Sequence, residues 1–220
     1  MQNIDKAYLE SIQEVPRQLA STFEILATQY TLDMTRSDVT EAIILRLKAY
    51  YNSQNTIKQL LDKRYATAGA DFFVETVLFF IKLYLRQNAP GLKAVSEEEI
   101  LLNRYRNEKG KIRREVLRPD ITLYKGEEVI YTIECKTQLG RSRATWGKEY
   151  NDRKQKLKQK YQNAKPFLLV MTEDNWGGFG DDLKVGTEYF ALLRNKVWPT
   201  NYNNSSQIRT GIEGLLKQMI

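Results

Sequence analysis

The chain has 220 residues, with 34 Lys and Arg against 27 Asp and Glu, a net charge of +7, no histidine and one cysteine. The lack of histidine excludes Ser-His-Asp catalysis, histidine-ligated zinc and the histidine-metal nucleases, and a lone cysteine forms no internal disulfide, as suits a reducing cytoplasm. The length suits one good-sized domain or a domain with a helical appendage, and the basic balance suits a polyanionic partner.

Residues 1–65 read as a helical N-terminal region, interrupted or started at Pro16, whose role is packing, dimerisation or DNA contact. Asp38 and Glu41 have capping-box spacing ahead of the apolar run Ala42-Ile43-Ile44-Leu45. No basic-plus-apolar leader opens the chain, and its longest apolar stretch, from Val74 to Leu85, carries Glu75 and Lys82 and is too short to span a bilayer. The expectation is a cytoplasmic protein without membrane contact. The segment 70–88 is a strongly apolar helix that stops before Asn88-Ala89-Pro90-Gly91. Within it Glu75 is a carboxylate in apolar company, which needs a cation or donors, and Asp71 lies one turn earlier. Strands are predicted near 100–107, 114–124 and 127–138, then a charged helix over 143–163 and a buried strand from Pro166 to Thr172. A glycine-rich loop over 174–186, a strand near 187–194 and a helix near 206–219 close the chain. Trp146 and Tyr150, four apart, are expected to pack the charged helix on the sheet.

The stretch from Arg118 to Gln138, RPDITLYKGEEVIYTIECKTQ, carries the chemistry. Two apolar runs flank a turn at Lys125-Gly126-Glu127. Side chains alternate along a strand, so Glu134, Lys136 and Gln138 share one face and Ile133, Cys135 and Thr137 the other. The hairpin can bring Asp120 alongside Glu134. Two carboxylates, an ammonium and a carboxamide then meet in one patch. Mg²⁺ takes one or two carboxylates plus water and phosphate oxygens, and a lysine beside them can orient water or balance transition-state charge.

Pro119-Asp120 followed by Glu134-Cys135-Lys136, with Gln138 extending the second half, resembles the motif of the PD-(D/E)xK nuclease superfamily, which includes most type II restriction endonucleases. The resemblance covers this hairpin and, more loosely, residues 70–172. It implies an α/β restriction-endonuclease-like core over 66–220, in the order αβββαβ, with a mixed central sheet flanked by helices. It implies a Mg²⁺-dependent endonuclease, with Mn²⁺ able to substitute, in which Asp120 and Glu134 hold the metal, Lys136 handles water and Gln138 supports the site. An acidic residue on the preceding helix joins the metal site in many members, which makes Glu75 a candidate metal ligand with Asp71 behind it. The preferred subclass is a homodimeric type II restriction endonuclease cutting double-stranded DNA. The alternatives are a repair, transposition or defence nuclease without strong sequence preference, a catalytically idle DNA-binding module, and a basic structural or RNA-binding protein.

Basic charge flanks this motif. Seven Lys and Arg lie between Arg104 and Arg118 against Glu108 and Glu115, and nine lie between Arg141 and Lys165 against Glu149 and Asp152. Arg114, Arg118, Arg141, Arg143 and Lys148 are the candidates for DNA phosphates. The run Lys154 to Lys160 reads equally as a solvated helix face.

Overall fold

A computed structural model describes residues 37–61, 68–139, 143–173 and 178–220, with Lys6, Glu10 and Arg17 ahead of them. Its main elements are helix α1 (Asp38–Leu61), α2 (Ala68–Asn88), strands β1 (Leu92–Ser96), β2 (Ile100–Arg106), β3 (Ile112–Leu117), β4 (Ile121–Lys125) and β5 (Glu128–Gln138), helix α3 (Arg143–Lys160), strands β6 (Lys165–Thr172) and β7 (Tyr189–Leu193), and helix α4 (Gly211–Lys217). Five strands form one sheet in the order β1-β4-β5-β6-β7, while β2 and β3 pair separately as a two-stranded ribbon. The β1–β4 and β4–β5 pairs are antiparallel, and β5–β6 and β6–β7 are parallel. With the ribbon set aside, the order α2, β1, β4, β5, α3, β6 is the αβββαβ order anticipated above. The fold is therefore a mixed central sheet flanked by helices, the class that the motif implies.

The two faces of the sheet are distinct cores. One face carries Ile121, Leu123, Ile133, Cys135, Phe167, Leu169 and Met171, which pack with Ile43, Leu47, Phe73, Val77, Phe80 and Ile212 from α1, α2 and α4. The other face carries Leu168 and Val170 against Trp146 and Tyr150 of α3, with Phe179 and Tyr189. Each fully buried large side chain contributes roughly 1.5–3 kcal/mol, so both layers hold the sheet firmly. Tyr150 also donates from Oη to the Pro166 carbonyl at 2.6 Å. Trp146 and Tyr150 thus pack α3 on the sheet, as expected.

Three strand assignments differ from the sequence reading. β1 is an unanticipated edge strand of the sheet, formed by only five residues after Pro90-Gly91, too short to announce itself by alternation. The segment 114–124 is two strands, because Pro119 has no amide to donate and the chain changes partners there. The 100–107 segment belongs to the ribbon and not to the central sheet. The C-terminal helix is also shorter than anticipated, since Gly211 at φ 66 begins it and a 3₁₀ turn at Ser205–Gln207 precedes it. Residues 174–177, including Trp176, lie outside the described residues. No helix among those described is long and apolar enough to cross a membrane.

Candidate active site

The hairpin β4–β5 builds the site. Gly126, at φ 61, is the first residue of its two-residue loop, a position where a Cβ would be strained. Lys125 pairs with Glu128 and Ile121 with Ile133. An extra residue in β5 shifts the register between those two pairs. Asp120 consequently stands opposite the Glu134 region, where its Oδ2 accepts the Cys135 amide at 2.6 Å. A short bond to a backbone N–H fixes that carboxylate in place.

Alternation does the rest. Cys135 is buried in the core shared with α2, and Glu134, Lys136 and Gln138 line a cleft of about 340 Å³ between β5 and α3. Lys136 Nζ lies 3.5 Å from Glu134 Oε2 and 3.8 Å from Asp120 Oδ2, so one ammonium bridges the two carboxylates. The glutamate side chain is 13% exposed against 49% for the lysine, so the charge that most needs a partner is Glu134. Burial is the main cause that pushes the Glu134 carboxyl above its usual range. The Arg153 guanidinium opposes that shift, the Asp120 charge adds to it, and Lys136 opposes it more weakly.

Arg153 is the residue that sequence reasoning passed over. Its Nη1 contacts Glu134 Oε1, the oxygen away from Lys136. The signal was present in the helical period. Trp146, Tyr150, Arg153 and Leu157 recur at three- and four-residue steps, so Arg153 is in phase with the residues that pack α3 on the sheet, and its half-exposed side chain reaches Glu134 at the edge of that face. Its neighbours in the lysine run are engaged elsewhere. Lys156 pairs with Glu115 at 2.9 Å, Lys154 pairs with Glu188, and Lys160 donates to the Leu101 carbonyl.

The other candidates fall in different places. Glu75 is not buried. Its carboxylate is gripped by Arg46 of α1, both oxygens at 2.9 Å from Nη2, and its side chain is 55% exposed. Arg46 also donates from Nε to Thr76 Oγ1 at 3.0 Å, so the pair ties α1 to α2. Among the described residues no group of three or more Asp, Glu, Cys or His is placed to hold one ion, and the carboxylate of Glu75 is engaged by Arg46. The apolar letters around Glu75 belong to a helix with one open face, on which Glu75 lies and meets its cation in Arg46. Asp71 is likewise exposed. Arg118 donates from Nε to the Glu97 carbonyl at 2.9 Å and pairs with Glu97 Oε2 at 3.3 Å, clamping the β1–β2 turn beside the site. Arg114 lies on the ribbon, 3.8 Å from Glu99. Lys148 is exposed on α3, and Arg141 and the side chain of Arg143 lie outside the described residues.

The donor set fits a hard divalent cation. Asp120 and Glu134 offer oxygen only, they repel each other, and Glu134 is held where its charge is costly without a cation nearby. Two carboxylates are also the number Mg²⁺ commonly takes from protein, with water and phosphate completing the shell.

No protein-family model matches the chain, and no curated protein matches it. Among solved structures, the native BbvCI A2B2 tetramer superposes with a TM-score of 0.46 at 13% identity, over 98% of this chain and 88% of the other. That superposition is too loose to transfer a residue from one chain to the other.

Proposed function

We propose that this chain is a divalent-metal-dependent endonuclease that hydrolyses phosphodiester bonds in double-stranded DNA. The observation that carries the reading is the bridging of Asp120 and Glu134 by Lys136, on a hairpin whose outward face opens into a cleft. An inert surface hairpin has no need to hold two carboxylates together where one is mostly buried. Asp120 and Glu134 would hold Mg²⁺, or Mn²⁺ in its place. The ion would supply Lewis-acid polarisation of the phosphate and a more acidic water. Lys136, half exposed and aimed between the carboxylates, would orient the attacking water and offset charge on the phosphate as it becomes pentacovalent. Arg153 holds Glu134 in place, and Gln138, farther along the same strand, would contact a phosphate or water at the cleft mouth. Within this chemistry the preferred subclass is a type II restriction endonuclease acting as a homodimer, since two sites related by a two-fold would cut both strands of a near-palindrome.

The test is incubation with mixed plasmid DNA with and without Mg²⁺. Discrete bands that appear only with Mg²⁺ support the site-specific enzyme. A smear supports a nuclease without strong sequence preference. Retention of DNA without cutting in either Mg²⁺ or Mn²⁺ would overturn the catalytic reading and leave a binding module.

A further inference from the structure

The ribbon β2–β3 stands outside the central sheet, and the outer residues of its strands, 103–106 and 112–114, are all exposed. Between residues 104 and 114 it carries Arg104, Arg106, Lys109, Lys111, Arg113 and Arg114 against Glu108 alone. Among the described residues, Arg114 is the one of these six with an acidic partner, Glu99 at 3.8 Å. The pairing register sets Arg104 directly opposite Arg114 and Arg106 opposite Ile112. Opposed residues share a face in an antiparallel pair, and like charges so placed are destabilising. The same face exposes Ile112 at 68% and Val116 at 40%, and Tyr105 on the reverse face is 50% exposed. Nothing within the described fold uses this combination of repelling arginines and uncovered apolar groups.

The ribbon is nevertheless built stiffly. At its tip Asn107 Oδ1 accepts the amides of Lys109 at 3.1 Å and Lys111 at 2.9 Å. At its root Ile100 and Leu117 pack with Leu157 of α3, and Glu115 takes Lys156. A groove of about 610 Å³ between β3 and α3 runs past this root and shares Arg153 and Glu149 with the cleft of the candidate active site. A ligand lying along the ribbon therefore continues into that cleft.

We infer that β2–β3 is the element that enters the major groove of duplex DNA and reads base edges there. A two-stranded ribbon fits that groove, about 12 Å wide, and arginine to guanine with apolar contact to the thymine methyl are its usual modes of reading. The ribbon's exposed face offers those groups side by side in Arg104, Arg106 and Ile112. Double-stranded RNA is disfavoured as the ligand because its major groove is too deep and narrow. Single strands are disfavoured because they are held on aromatic platforms, and the ribbon has one aromatic residue, Tyr105, on its exposed part.

The inference rests on the proposal that the substrate is duplex DNA, and its test is separable from that proposal. Binding is measured in Ca²⁺ by fluorescence anisotropy, with a 30-base-pair duplex and the corresponding single strand, over a salt series. The Arg104→Gln/Arg106→Gln protein is expected to lose affinity by about tenfold or more for a duplex selected from a random pool, with a smaller loss for the pool itself and a salt slope close to that of wild type. Its single-strand affinity is expected to change less than its duplex affinity. Ile112→Ser is expected to lower discrimination between a duplex selected from a random pool and the pool itself, with the melting temperature unchanged. Duplex affinity and discrimination equal to wild type in both variants would overturn the inference, as would an equal loss for duplex and single strand. Hydrolysis of bis(p-nitrophenyl) phosphate by the wild-type protein in Mn²⁺, compared with Glu134→Gln, tests the nuclease reading by itself, since that small diester needs no groove contact.

Discussion

Among the described residues Glu134 is faced by the charges of Asp120, Lys136 and Arg153, and its burial has a cost. Its folded-state carboxyl is raised above the usual range, chiefly by burial. Between the ordinary carboxyl range and that raised value, the native protein retains a proton that the unfolded chain has released. Stability therefore falls as pH rises through that window, and the cost persists at neutral pH. We expect Glu134→Gln to abolish cleavage and yet melt higher than wild type near pH 7.5, each 1 kcal/mol being about 2–4 °C for a chain of this size. The gain should shrink as pH falls toward the ordinary carboxyl range, and a melting temperature below wild type at pH 7.5 would contradict the account. Lys136→Ala should also abolish cleavage, with duplex binding in Ca²⁺ retained; near-normal cutting by that protein would remove the lysine from the mechanism. Arg153 poses a choice that geometry frames. Its contact is with Oε1, while Oε2 faces Lys136 and through it Asp120. If Arg153 holds the carboxylate for the ion, Arg153→Ala should weaken Mn²⁺ binding by about 10–100-fold in calorimetry, the range for residues that orient a metal's ligands. Tighter binding in that variant would mean that Arg153 competes with the ion instead.

At the scale of elements, the hairpin carrying the site was readable from alternation and a turn, because period-2 patterning needs only local information. Glu134, Lys136 and Gln138 share a face and Asp120 reaches them for that reason. The contribution of Arg153 depends on which side of α3 meets the sheet, and it was legible only to a reading that tracked Trp146, Tyr150 and Leu157 together. The partnership of Glu75 with Arg46 was not legible, since it joins residues 29 apart across a helix pair whose orientation no local pattern sets. The same holds for the joint between α1 and α4. There Glu213, buried, accepts the Thr40 amide at 2.9 Å and the Thr40 hydroxyl, and that hydroxyl accepts the Ile212 amide at 2.8 Å. Gly211 passes so close that a Cβ would lie 2.7 Å from Glu213 Oε2. Hydrogen bonds to a buried carboxylate contribute roughly 1.5–3 kcal/mol each, and their loss strands the donors. We expect Glu213→Ala to lower stability by about 3 kcal/mol or more in urea titration, with cleavage per folded molecule unchanged. A loss under about 1 kcal/mol would show that the joint relaxes without the carboxylate.

For the molecule as a whole, Cys135 links the site to global stability. It lies between Glu134 and Lys136 in sequence, on the opposite face of the sheet, in the core shared with α1, α2 and α4. Burial, with Asp120 and Glu134 nearby, pushes its thiol well above the ordinary range. A buried protonated thiol reacts only after the sheet opens, so modification by a thiol reagent reports the population of the opened state. An ion that binds native protein and not the unfolded chain lowers that population by the factor 1 + [L]/Kd. At a Mn²⁺ concentration about 100 times its Kd, the labelling rate of the wild-type protein should fall about a hundredfold. The metal is proposed to bind across Asp120 and Glu134, so Mn²⁺ should give the Glu134→Gln protein little protection. The measurement is the rate of Cys135 modification by a chromogenic disulfide, with and without Mn²⁺, for both proteins. Equal protection of the two would place the ion away from Glu134. No protection of wild type at any Mn²⁺ concentration would mean that the paired carboxylates hold no ion in the native state.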